Sequence, residues 1–327
     1  MNPIAVNRLV KTYGKVRAVE GFSLVTHEGE LVALAGPDGA GKTSLFRSIC
    51  GLIRFDDGDI RVAGYDVRTD FERIKPLLGY MPQTFSLYPD LSVDENLRFY
   101  AGIFGMGRAE FDRRKKQLYE FSGLGPFSGR RAEHLSGGMK QKLALSCDLI
   151  HNPKILVLDE PTTGVDPLSR RQFWDILKEL RGQGASIVVS TPYMDELGLS
   201  DRAVLMNRGR KLAEGRPGEL LSAYRGRVFS VPRLLTTEEM EKLTALEAIN
   251  ARRYGAALRI YTGKGMGPDD VGRAISSVGI AADGVSEIEP EMEDVFVQFM
   301  QGAAGQSEAA SPGAAQPGDT SDEHGND

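Results

Sequence analysis

The chain has 327 residues, 41% hydrophobic and 26% charged, which is the make-up of a folded globular protein and excludes a fibre or a fully disordered chain. Its formal charge of −5 is accounted for by the five carboxylates of residues 301–327, Glu308, Asp319, Asp322, Glu323 and Asp327. The remaining body is neutral, so no basic surplus points to nucleic acid as a partner.

The apolar runs Leu31–Ala35 and Ile155–Leu158 are far shorter than the ~18 residues that cross a bilayer, and the opening residues lack a signal-peptide profile. A cytoplasmic location is expected. The two cysteines, Cys50 and Cys147, lie in helix-like apolar segments without metal-type spacing, and are read as buried free thiols.

In chain order, short strands are expected at Ala5–Val10, Phe22–Val25, Leu31–Ala35 and Asp59–Val62, separated by turns such as Asp56-Asp57-Gly58. Helical periodicity covers Leu91–Phe104, Arg108–Leu124 and Ser136–Ile150. Lys154–Leu158 and Ser186–Ser190 are continuous Val/Ile/Leu-rich runs, as suits strands buried on both faces of a mainly parallel sheet. The layout is an α/β domain over residues 1–220 with a helical subdomain at about 84–150.

From residue 221 to 300 a smaller α/β alternation is expected. Its strands are Arg227–Val231, Ala257–Tyr261 and Val285–Ile288, and its helices Thr237–Ile249, Asp269–Val278 and Met292–Met300. It shows no catalytic cluster, and an accessory interaction or dimerisation module is the plain reading. Residues 301–327, rich in Gly, Ala, Ser and Pro, bury too little to repay ordering and are read as a disordered tail.

The strand Leu31–Ala35 leads directly into Gly36-Pro37-Asp38-Gly39-Ala40-Gly41-Lys42-Thr43 and then the helix-like run opened by Ser44. This is the phosphate loop in its strand-to-helix context: glycines let backbone N–H groups converge on phosphates, and the helix N-terminus adds positive potential. Lys42 is assigned to the β- and γ-phosphates, and the Thr43 hydroxyl to Mg²⁺. The apolar strand Ile155–Leu158 ends in Asp159-Glu160; carboxylates at a buried strand end are costly without a cation, which assigns Asp159 to Mg²⁺ and Glu160 to the attacking water.

Leu135-Ser136-Gly137-Gly138-Met139-Lys140-Gln141 is a second anion-binding helix N-terminus. Taken with Met81-Pro82-Gln83, Asp159-Glu160-Pro161 and the phosphate loop, it closely resembles the signature of the ATP-binding subunits of ABC transporters over residues 3 to 215. Within that family the chain is similar to the ABC-2 exporter branch, and to the first ATP-binding half of the YbhF-like multidrug exporter ATPases. The grounds are Gly79-Tyr80-Met81-Pro82-Gln83, Leu124-Gly125-Pro126-Phe127 and a late Met292-Glu293-Asp294-Val295-Phe296.

The resemblance implies a P-loop ABC-type fold with a mixed sheet core and a helical signature subdomain, and ATP and Mg²⁺ as ligands. It makes Tyr13 the aromatic that stacks on adenine, although a tyrosine at a strand end also serves as packing. Gln83 becomes a lid glutamine touching Mg²⁺ and the catalytic water, and Gly164-Val165-Asp166 a loop coupling two sites. It further implies head-to-tail closure with a second ATP-binding domain, in which Ser136, Gly137, Gly138 and Gln141 serve the partner's nucleotide. Separate permease subunits would be docked by the aromatic stretch Phe85–Phe104, unless those rings are core, and would hold the chain on the inner face of the cell membrane.

One departure stands out. Where the family carries a histidine after the strand Ile187–Ser190, this chain reads Thr191-Pro192-Tyr193-Met194-Asp195-Glu196. Proline brings no polar side-chain atom and no N–H, which predicts slow hydrolysis and an unequal pair rather than a homodimer. A soluble ABC-type ATPase without a permease, or a nucleotide-sensing subunit with negligible turnover, are the alternatives.

Overall fold

The computed structural model describes residues 2–246 and 249–309, arranged around three sheets. An antiparallel sheet in the order β2-β1-β4-β5 joins β1 (Ile4–Tyr13), β2 (Val16–Val25), β4 (Asp57–Val62) and β5 (Tyr65–Asp66). The central sheet, in the order β10-β9-β3-β8-β7-β6, is formed by β3 (Leu31–Ala35), β6 (Leu78–Met81), β7 (Ile155–Leu158), β8 (Ser186–Thr191), β9 (Arg202–Asn207) and β10 (Arg210–Gly215). All of its pairings are parallel except β9 with β10. Every residue of β3, β7 and β8 is buried, as their unbroken apolar runs require of strands covered on both faces.

The helices α1 (Lys42–Ile49) and α2 (Phe71–Ile74) precede a helical layer of α3 (Val93–Ile103), α4 (Arg108–Ser122) and α5 (Gly137–Asp148). Ser92 and Glu95 form a reciprocal capping box that starts α3, and Gly123 in the left-handed region ends α4. Then α6 (Pro167–Gly182), capped by Asp166, returns beside the sheet. Cys50 and Cys147 are buried free thiols.

After α7 (Pro217–Ser222) comes a third, wholly antiparallel sheet in the order β12-β13-β11-β14: β11 (Arg227–Val231), β12 (Ile249–Tyr254), β13 (Ala257–Thr262) and β14 (Ser286–Ile288). Helices α8 (Thr237–Thr244) and α9 (Pro268–Ser277) supply Leu243, Val271 and Ile275 to its core beside Phe229 and Ile260.

The last helix, α10 (Met292–Ala309), corrects two expectations, and α8 a third. Helix α10 continues nine residues beyond Met300, so the tail boundary expected at 301 falls inside a helix, while residues 310–327 lie outside the described residues. It also does not belong to the small sheet alone: Met292, Val295 and Phe296 join the core formed by α5, α6 and the central sheet. The helix expected over Thr237–Ile249 stops at Thr244, and Ile249 instead opens β12, a strand absent from the expected alternation.

Candidate functional site

The parallel strands β3, β6, β7 and β8 all point their carboxyl ends at one crevice, where ligands of open α/β sheets bind. The phosphate loop leaves β3 there, Gln83 follows β6, Asp159 and Glu160 follow β7, and Ser190, Thr191 and Pro192 come from the end of β8. The loop is tightly built. Gly41 has φ 105°, and a Cβ at that position would lie 2.0 Å from the carbonyl oxygen of Ala18 in β2, so only glycine lets α1 start against that strand.

Lys42 is 3% exposed, and its Nζ donates to the carbonyls of Gly36 at 2.8 Å and Pro37 at 3.1 Å while pairing with Glu160 Oε1 at 3.0 Å. The amide Nε2 of Gln83 donates to Glu160 Oε2 at 2.9 Å, and the Thr163 hydroxyl donates to the same oxygen at 3.3 Å. Glu160 holds a left-handed backbone with φ 48°, a strained conformation for a side chain of its size, and its N–H donates to Ser190 Oγ at 2.9 Å. Ser190 in turn donates to Asp159 Oδ1 at 2.8 Å, so one hydroxyl links the Glu160 backbone to the Asp159 carboxylate.

Asp159 is fully buried, and burial raises its carboxyl above the usual range; neighbouring Glu160 pushes the same way, while Ser190, Thr43 and Lys42 pull it back. Asp159 Oδ2 is a buried oxygen with no hydrogen-bond partner. An orphaned carboxylate oxygen with the Thr43 hydroxyl acting on the same group is a hard-oxygen donor set that fits Mg²⁺, whose remaining ligands would come from phosphates and water. Among the described residues no group of three or more His, Cys, Asp or Glu forms a metal cage.

Pro37, Asp38 and Gly39 form the exposed rim of the loop, Ala40 is buried beneath it, and Ser44 lies in the first turn of α1. Tyr13 ends β1 with 48% of its surface exposed and the Lys11 ammonium 4.8 Å from its ring centre, an aromatic face open to stacking. The signature residues are placed elsewhere. Ser136 caps α5, accepting from the Met139 N–H, and no hydrogen bond or ion pair among the described residues joins Ser136, Gly137, Gly138 or Gln141 to the phosphate loop. A Cβ on Gly138 would sit 2.6 Å from Ser169 Oγ, and Gly137 faces the Gly164 carbonyl, so the signature packs on the Gly164-Val165-Asp166 loop. Ser190 was not among the residues singled out by sequence. A lone serine closing an apolar strand repeats no spacing pattern, and only its position at a parallel strand's carboxyl end marks it.

Residues 19–163 match the family model described as ABC transporter. The Nod factor export ATP-binding protein I of Rhizobium etli is 34% identical over 301 residues, covering 91% of this chain and 93% of that protein. The chain belongs to the ATP-binding proteins of ABC transporters. The linearmycin resistance ATP-binding protein LnrL of Bacillus subtilis is 34% identical over 224 residues, covering 68% of this chain and 72% of that relative. The probable multidrug ABC transporter ATP-binding protein YbhF of Escherichia coli is 40% identical over 295 residues, 89% of this chain, and this chain spans about half (50%) of YbhF. Among solved structures, an ATP-binding subunit of an ABC transporter aligns with TM-score 0.61 and 31% identity, over 67% of this chain and 92% of its own. A dimeric ATP-binding cassette in a post-hydrolysis state, bound to ADP and Pi, aligns with TM-score 0.59 and 25% identity, over 65% of this chain and 98% of its own. As an ABC ATP-binding protein the chain has an α/β cassette with a mixed sheet, and among the described residues no helix is long and apolar enough to cross a membrane.

Proposed function

We propose that this chain binds and hydrolyses ATP to power an ABC-2-type exporter, held on the cytoplasmic face of the cell membrane by separate permease subunits and paired with a second ATP-binding domain. The convergence of Lys42, Asp159, Glu160 and Gln83 on one crevice carries the reading. Lys42 and the amides opening α1 hold the phosphates, with Tyr13 under the base. Thr43, Asp159 and Gln83 would hold Mg²⁺, which when bound neutralises phosphate charge. Glu160 takes the proton of the water that attacks the γ-phosphorus, ADP being the leaving group, and Gln83 orients Glu160 through its amide. Ser136, Gly137, Gly138 and Gln141 complete the partner's site, and residues 221–300 form an accessory or dimerisation module.

Pro192 supports the finer reading that this site is the slower of an unequal pair. It follows the last residue of β8, whose Thr191 is paired with Ala35 just before the phosphate loop, and offers neither a polar side-chain atom nor an N–H to the crevice. The test is a detergent pull-down of the full chain from its native membrane fraction, followed by ATPase assays on the complex. A co-purifying polytopic permease supports export, whereas a purely soluble complex removes it. In the complex, Ser136→Arg is expected to suppress most turnover and Glu160→Gln little; equal silencing by both ends the unequal-pair reading.

A further inference from the structure

Behind the crevice lies a further buried carboxylate to which neither the sequence motifs nor the mechanism assigns a task. Glu196 is 3% exposed and belongs to the 3₁₀ segment Met194–Leu199 that follows Pro192. Its Oε2 accepts from the Thr191 hydroxyl at 2.5 Å and from the Thr162 hydroxyl at 3.1 Å, and its Oε1 lies 3.7 Å from the Arg170 guanidinium of α6. These partners come from three separate places. Thr191 ends β8 beside Pro192, Thr162 stands two residues after Glu160, and Arg170 follows the Asp166 cap of α6.

The surroundings leave this group little room to move. Arg170 stacks on Tyr193 with 4.0 Å to the ring centre, and the Tyr193 N–H donates to Thr191 Oγ1 at 3.0 Å. Leu197, one residue on, is fully buried in the same core as Val295 and Phe296 of α10. Burial raises the Glu196 carboxyl and the threonine hydroxyls pull it back, as for a carboxylate held by donors rather than solvent. A buried acid that served only to fill space would be costlier than an apolar residue of the same volume.

We infer that Glu196 is a positioning residue for ATP hydrolysis, tying the loop after Glu160 to the strand end that carries Pro192, so that the general base and the Gly164-Val165-Asp166 loop hold one shared geometry. It acts through the hydroxyls of Thr162 and Thr191. The inference rests on the ATPase reading given above. Nucleotide affinity, set by Lys42, the loop amides and Tyr13, lies outside the tie.

The test compares Glu196→Ala, Thr162→Val and Thr162→Ser with the unmodified full chain, first by kcat and by Mg-ATP affinity. Thr162→Val keeps the shape and removes the hydroxyl, and Thr162→Ser keeps the hydroxyl. Glu196→Ala and Thr162→Val should lower kcat by about tenfold or more, since misplacement by an ångström costs up to ~10²-fold, with the Kd for Mg-ATP changed by less than about threefold. Thr162→Ser should keep its rate. A second arm reads amide hydrogen exchange over residues 161–166, where Mg-ATP should slow exchange in the unmodified chain and in Thr162→Ser but not in the other two. The inference is overturned if Thr162→Val, folded, keeps both rate and protection, if Thr162→Ser fails alongside it, or if Mg-ATP protects nothing over 161–166 in the unmodified chain. An unmodified chain that binds Mg-ATP without turnover both alone and in its membrane complex defeats the ATPase reading instead, and the exchange arm then decides the tie on its own.

Discussion

Lys42 carries the largest single electrostatic task in the crevice. Lys42→Ala should weaken Mg-ATP binding by about 2 kcal/mol or more, the worth of charged hydrogen bonds to phosphate, and calorimetry showing unchanged affinity would remove the site assignment. Pro192→His restores a polar group at the end of β8, and positioned acid–base groups are worth ~10² or more in rate, so the isolated chain should hydrolyse ATP several-fold faster, a gain that Glu160→Gln abolishes. His151 offers a pH test. Burial pulls its imidazole down to about 4 from 6.5, with the Leu78 carbonyl opposing and Phe104 stacked at 3.8 Å. A depressed pKa means that the unfolded chain binds the proton more readily, so this stability is present above pH 6.5 and lost as pH falls toward 4, by about 2 kcal/mol after discounting for solvent. Asp159 and Glu196, raised by burial, carry the opposite sign, so the measurement is the difference in urea midpoint between the unmodified chain and His151→Gln at pH 7 and 4.5. A difference that does not shrink at the lower pH would show that His151 is not the cause. Lys42, Thr43, Asp159 and Glu160, picked out by their spacing along the chain, do come together in one crevice. Ser190, Thr162 and Glu196 were not picked out, because their meaning arises only when β7 and β8 lie side by side.

Among the elements, strands buried on both faces announced themselves by composition, and α3, α4 and α5 by periodicity to within a few residues at their ends. The edge strand β12 did not, since in Ile249-Asn250-Ala251-Arg252-Arg253-Tyr254 only Ile249 and Ala251 face the core and the rest is exposed. Helix α10 was visible as a helix, but its second attachment was not. One side meets the small sheet through Arg259, whose guanidinium bonds both oxygens of Asp294 at 3.0 and 3.1 Å, while Tyr261 donates to the same carboxylate at 2.9 Å. Its apolar side lies in the cassette core. With the Asp294 side chain fully buried, Asp294→Ala removes two of the guanidinium's hydrogen bonds but leaves Arg259 paired with Glu291 at 2.7 Å, and should cost about 1.5–3 kcal/mol in denaturant unfolding, whereas a loss under about 0.5 kcal/mol would show the pair to be dispensable.

For the whole molecule, that shared helix makes the accessory sheet and the cassette thermodynamic partners. A single calorimetric unfolding transition is expected of the unmodified chain, and Phe296→Ala, which removes about 3 kcal/mol of packing from the cassette side of α10, should split it into two. Two resolved transitions in the unmodified chain would show that the units melt independently. The α/β alternation tightens near residue 220, shortly before the antiparallel sheet that begins at Arg227. Which unit owns the last helix was not readable, because an amphipathic stretch does not say against what it will pack.

The route by which α10 closes the cassette bears on how the protein is made. Synthesis delivers the phosphate loop, the signature and both acids long before Val295 and Phe296 emerge, so a nascent chain holds the crevice residues while its largest core still lacks a wall. At the ~5–20 residues per second of translation, the stretch from Glu160 to Phe296 keeps that apolar face open for many seconds, a window in which the chain's own packing does not shield it.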